Sequence, residues 1–130
     1  MGTIIYIVLG IVAVIFTLQA VMIFAAKKSK GKKISGLNGK LKNLEKNGSK
    51  GLVYFFSPSC HACKAQTPII KELQSGNKNV FDVDISKDMD TARIFGIKAT
   101  PTTIFVNDGV ISEVMLGVKQ KDVLKGYLAK

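Results

Sequence analysis

The sequence predicts an α/β fold, a central mixed sheet flanked by helices, preceded by one N-terminal transmembrane helix. Three observations carry this. Ile4 to Ala26 is almost unbroken apolar sequence. The remainder, enough for one small core, alternates helix-period and strand-period segments in the order α-β-α-β-α-β-β-α, which fits a mixed sheet with helices on both faces. The only two cysteines, Cys60 and Cys63, stand where an apolar run, Leu52 to Phe56, gives way to a helix-compatible stretch.

The first apolar segment is interrupted only by Thr17 and Gln19 and carries no charge. Its length as a helix, about 35 Å, exceeds the roughly 30 Å of a bilayer's hydrocarbon core. Met1-Gly2-Thr3 lacks the basic side chains that open a secretory signal, so residues 1–26 are expected to be a retained anchor. Tyr6 stands where myristoylation at Gly2 would want Ser or Thr. Residues 27–36, rich in lysine, glycine and serine, predict a basic flexible linker, and residues 37–130 a folded domain.

The formal net charge is +10, and Lys27, Lys28, Lys30, Lys32 and Lys33 supply half of it. A lysine cluster just after a span, with none before it, predicts the N-terminus outside and the domain cytoplasmic. Each such lysine near anionic lipid is worth about 1 kcal/mol, so the bilayer is a partner. The charge abuts a span and lacks interleaved aromatics, which argues against nucleic acid.

Within the domain, Leu37, Leu41 and Leu44 with intervening charges predict one amphipathic helix, ended by Asn47 to Gly51. Leu52 to Phe56 reads as a central strand covered on both faces. Lys64 to Gln74 continues a helix begun at the cysteines, and Ser75-Gly76-Asn77 ends it. Val80 to Ile85 alternates apolar residues with Asp82 and Asp84, a strand signal. Thr91 to Phe95 is a short helix stopped by Gly96. Thr102 to Val106 and Val110 to Leu116 are strands joined at Asn107-Asp108-Gly109. Lys121 to Lys130 is a last helix whose buried side is expected to be Val123, Leu124 and Leu128.

A Cys-x-x-Cys opening a helix has a mechanism. Unpaired N–H groups and the positive dipole end at the helix start favour thiolate over thiol at the first sulfur, and the thiolate is the nucleophile. The second cysteine, one turn on, is close enough to close a disulfide. Zinc would want four ligands, and besides the two cysteines the chain offers only His61, its one histidine. Charged, His61 would stabilise a Cys60 thiolate and make the pair more oxidising; the alternative is an exposed spacer.

The stretch FFSPSCHACK resembles the active site of the thioredoxin family. So does Pro68, eight residues after Cys60, where the family has a helix-kinking proline. Thr100-Pro101-Thr102 resembles its cis-proline loop, and Gly96, Gly109 and Gly117 match its glycines in spacing. The resemblance covers roughly Leu37 to Lys130. It implies a thioredoxin-like fold and a thiol–disulfide oxidoreductase, with Cys60 attacking a substrate disulfide and Cys63 resolving the mixed disulfide. It implies no cofactor beyond that pair, protein disulfides as substrates and a reductase as electron donor. It also implies that a cis Pro101 leaves the Thr100 backbone free to pair with a substrate strand. The family's first strand is expected to be short or absent.

Four departures are notable. Tyr54 stands in place of the family's buried acid, Ser59 in place of a tryptophan, and His61-Ala62 in place of glycine and proline. Counting back from Gly96 puts Asp82 where the family has a lysine. Asp82 is therefore a candidate proton acceptor for Cys63, its pKa raised by burial; the alternative is a solvated strand residue. The leading expectation is a membrane-anchored reductase of protein disulfides. The alternatives are an extracytoplasmic oxidase, isomerase or maturation factor, a redox-inert binding module, and a metallochaperone.

Overall fold

A computed structural model describes residues 1–130, the side chain of Ala26 excepted. Helix α1 runs Gly2–Lys27, and its Gly2–Ala25 stretch is long and apolar enough to cross a membrane, with none of it buried within the protein. The domain then follows: a 3-10 helix Gly39–Glu45, β1 Lys50–Phe56, α2 Cys63–Gly76, β2 Val80–Asp84, α3 Met89–Phe95, β3 Thr102–Asn107, β4 Val110–Leu116 and α4 Lys121–Ala129. The sheet order is β2-β1-β3-β4. β1 pairs parallel with β2 and antiparallel with β3, and β3 pairs antiparallel with β4, so the sheet is mixed as expected.

Strand side chains alternate between faces, and both faces are covered. Val53 and Phe55 of β1 join Ile104, Val106, Phe95 and the leucines of the 3-10 segment on one side. Leu52 and Tyr54 join Phe105, Met115, Cys63, Ile70 and Leu73 of α2 and Leu124 of α4 on the other. That is why Leu52 to Phe56 is apolar at every position. Asp108 and Gly109, at φ 56° and 72°, make the β3–β4 turn with both central residues left-handed, the form that matches strand twist.

Three expectations are corrected. The predicted amphipathic helix is a 3-10 turn with Leu41 and Leu44 buried; their spacing of three suits 3-10 geometry, and Gly39 starts it at φ 61°. Residues 27–36 are not a free linker throughout. Gly31 N donates to the Ile111 carbonyl, Ile111 N to that of Lys32, and Ile34 N to that of Gly109, while Ile34 is only 1% exposed. A buried isoleucine with paired backbone groups fixes the segment. On α4, Val123 is exposed and Tyr127 packs with Leu124 and Leu128 instead, because spacings of three and four share a helix face. The family's first strand, expected to be short or absent, is represented by one antiparallel bridge, Lys33 to Val110.

Candidate active site

β1 delivers its last residue, Phe56, into Ser57-Pro58-Ser59, which turns the chain so that Cys60 precedes α2. The Cys60 amide donates to the Ser57 carbonyl, and the Lys64 amide to the His61 carbonyl, closing two tight turns ahead of the helix. α2 therefore begins at Cys63 rather than at Cys60. Its first N–H, that of Cys63, lacks an intrahelical partner and donates to Cys60 Sγ at 3.2 Å. The two cysteines form a disulfide, with Cα atoms 5.3 Å apart. Cys60 is half-buried and Cys63 only 3% exposed. The first cysteine is thus the more open of the two to an incoming disulfide. The pair opens onto a cleft of about 330 Å³ lined by residues that include Phe56, Pro58, Lys64, Thr67 and Pro68.

Beneath Cys63, Tyr54 is fully buried. Its hydroxyl lies 3.2 Å from the Cys63 carbonyl oxygen and 3.0 Å from Thr67 Oγ1, and the Thr67 hydroxyl donates to the same carbonyl at 2.8 Å. Burial pushes the Tyr54 pKa above its usual value of 10.0; the Thr67 hydrogen bond opposes this and the charge of Asp82 adds to it. Tyr54 is thus a neutral hydroxyl where the family carries an acid. Thr103, opposite Tyr54 in register, is fully buried, and its hydroxyl has no hydrogen-bond partner among the described residues.

Pro101 is buried and its peptide bond with Thr100 is cis. It stands at the end of the sheet that leads to Cys60, since Thr102, the next residue, is opposite Phe55. Thr102 Oγ1 donates to the Ala99 carbonyl, and Gly117 N to the Pro101 carbonyl, which hold the loop from both sides. The buried Gln66 of α2 accepts from Lys119 N at 2.6 Å and donates to its carbonyl at 3.3 Å, tying the β4–α4 loop to the active-site helix. Sequence reasoning passed over Gln66, Thr67 and Thr103. Thr67 and Gln66 fall three to four residues after Cys63, the one-turn spacing that could have flagged them.

His61 is exposed in the turn. Asp82 pairs with Tyr54 in register, but its expected behaviour is corrected. It lies on the exposed edge strand, where it accepts from Gln74 Nε2 at 2.7 Å and Lys71 Nζ at 3.2 Å. Partial burial pulls its pKa up, yet these two hydrogen bonds and the lysine charge outweigh that, and the net shift is downward. No cluster of three or more His, Cys, Asp or Glu suited to a metal occurs among the described residues.

The family model for thioredoxin matches residues 30–130. Thioredoxin of Bacillus subtilis (strain 168) is 31% identical over 87 residues, 63% of this chain and 84% of its own length. That of Rickettsia conorii is 34% identical over 83 residues, 61% and 78%. Among solved structures, Schistosoma mansoni thioredoxin pre-protein superposes with a TM-score of 0.57 at 30% identity, over 69% of this chain and 91% of its own. The thioredoxin of Malassezia sympodialis reaches 0.61 at 19% identity, over 78% and 92%, a likeness of fold.

Proposed function

Because the chain belongs to the thioredoxin family and is a thiol–disulfide oxidoreductase, we propose that it is held in the cell membrane by α1. There it reduces protein disulfides at the cytoplasmic face, with Cys60 as nucleophile and Cys63 as resolving thiol. The observation that carries this is the asymmetry of the pair: an accessible Cys60 sulfur that accepts the first N–H of α2, and a buried Cys63. Such a donor at a helix start stabilises negative charge on Cys60.

In the reduced enzyme the Cys60 thiolate attacks one sulfur of a substrate disulfide. That S–S bond breaks, and the departing thiolate takes a proton from water. Cys63 then loses its proton and attacks Cys60 Sγ, releasing the second substrate thiol and closing Cys60–Cys63. Two electrons pass to the substrate, and a reductase returns them. Pro101 and Thr100 border the site where the substrate chain would lie. The lysines after α1 favour the cytoplasmic placement.

The test is insulin reduction by the full chain in detergent, with dithiothreitol as donor. Acceleration abolished by Cys60→Ser, and a trapped mixed disulfide with Cys63→Ser, support the reading. A wild-type chain no faster than dithiothreitol alone leaves a binding module. A reduction potential near about −270 mV fits a cytoplasmic reductase; one near about −120 mV fits an extracytoplasmic oxidant instead.

A further inference from the structure

We propose that the domain stands on the bilayer with its disulfide end toward the lipid, and that its substrates are disulfides of membrane proteins held in or just above the headgroup layer. This rests on the membrane-anchored reading and names its substrate class.

The geometry starts at the end of α1. After Lys27 the chain winds through hydrogen-bonded turns, Lys28 N to the Phe24 carbonyl, Lys30 N to that of Lys27 and Lys32 N to that of Ser29. Pairing with β4 begins at once, Gly31 N donating to the Ile111 carbonyl at 2.7 Å. Only Lys28, Ser29 and Lys30 separate helix from strap. The strap runs antiparallel to β4, from Ile111 toward Gly109. Leaving the membrane along the strap therefore means moving backward along β4, and β4 itself runs back toward the membrane. From Ile111 to Leu116 that return covers about 17 Å at roughly 3.3 Å per residue.

Leu116 is paired with Thr102, and Thr102 with Phe55. The end of β4 nearest the bilayer is thus the end of the sheet that carries Pro101 and feeds Cys60. The helix end touches it directly: Ile23 and Lys27 line a cleft of about 300 Å³ with Val114, Met115, Leu116 and Lys119. Ile23 belongs to the membrane-crossing stretch, so its neighbours on β4 lie at the bilayer boundary. Lys30 pairs with Glu113 at 3.0 Å, and Lys32 Nζ donates to the Ile94 carbonyl at 3.0 Å. Both are exposed and individually weak, but with the strap they limit rotation about the tether.

The surface at this end suits a headgroup layer. Val118 is 44% exposed beside the Pro101 loop, flanked by Lys119, and Lys98 is exposed on the same loop. Acidic Asp84 closes β2 opposite Phe56, with Asp88 and Asp90 just after it, so these carboxylates stand at the same end of the sheet as Cys60 but on the edge away from β4. The basic, apolar side of this end, next to α1, faces anionic lipid, while the acidic β2 side lies across the width of the sheet from α1.

The test reads depth without needing activity. In a full chain carrying Cys60→Ser and Cys63→Ser, a nitroxide is placed by Val118→Cys or by Asn47→Cys at the far end. Each is reconstituted in phosphatidylcholine–phosphatidylglycerol vesicles containing a nickel-chelating lipid. Several-fold stronger relaxation at position 118 than at 47 is expected. Equal or reversed relaxation overturns the proposal. Vesicle flotation reports anchoring separately: a chain that does not float defeats the anchored reading, whereas one that floats with reversed labels defeats only the orientation. In the active chain, a flexible insert of about ten Gly and Ser residues between Lys28 and Ser29 frees the tether. It is expected to slow reduction of a lipid-anchored disulfide peptide several-fold and leave soluble insulin unchanged. No change on either substrate, or equal loss on both, overturns it.

Discussion

The Tyr54 hydroxyl lies 3.2 Å from the carbonyl oxygen of Cys63, beneath the resolving cysteine and out of water. The carbonyl also accepts from Thr67, so the first turn of α2 rests on two hydroxyls. With its pKa raised above 10.0, Tyr54 stays protonated at any working pH and supplies position rather than a base. Tyr54→Phe removes one hydrogen bond and leaves Thr67 on the carbonyl. A loss of about 1 kcal/mol is expected, read as a Tm lowered by roughly 4–8 °C. Turnover with insulin keeps its pH profile. A displaced profile would show that the hydroxyl moves a proton.

Thr103 faces the same layer with an unpartnered hydroxyl. Burying such a group costs free energy that a methyl of the same shape does not. Thr103→Val keeps the β-branched shape of a strand residue and is expected to raise stability by about 1 kcal/mol in urea titration. A loss of similar size would mean that the hydroxyl is bonded in solution.

The sheet and the disulfide pair were legible because each rests on a local pattern. Strand β4 follows the apolar segment Val110 to Leu116 bounded by Gly109 and Gly117, and the pair follows from two cysteines at one-turn spacing. What stayed hidden depends on partners distant in sequence. Ile34 sits alone among lysines and glycines, and only β4 shows it to be core. Asp82 looks like a buried alternation on β2 until Lys71 and Gln74 of α2 reach it. Periodicity alone also cannot separate a 3-10 turn from an α-helix over seven residues, as at Gly39–Glu45.

Asp82 carries a definite pH dependence. Its folded pKa lies below the ordinary carboxylate value despite the opposing effect of burial. A group of this kind contributes stability above its unfolded pKa of about 3.9, and the contribution is lost as pH falls through the lower folded value. The carboxylate is part exposed, so Asp82→Asn is expected to cost only about 0.5 kcal/mol near neutrality. The difference from wild type should shrink in melts as pH falls below the unfolded value and vanish once it is below the lowered folded one. Because Asp82 is already ionised, the substitution should leave the pH profile of insulin turnover unchanged from about pH 5 to 8. A profile that shifts would restore Asp82 as a proton acceptor.

Ile34 decides whether the segment after α1 is tether or structure. A side chain on a solvated linker can be truncated at a cost within about 0.5 kcal/mol. Ile34 is 1% exposed and packs with Leu37, Leu41, Leu44 and Ile111. Ile34→Ala is therefore expected to cost about 2–5 kcal/mol, and Ile34→Val about 0.5–1.5 kcal/mol, in urea denaturation of the full chain in detergent. Neither change touches the backbone N–H that donates to Gly109. A graded loss thus isolates side-chain packing from strap pairing. Ser35→Ala, at the exposed neighbouring position, should cost nothing measurable. Equal and negligible effects at positions 34 and 35 would return residues 27–36 to a free linker, leaving the domain free to rotate relative to α1.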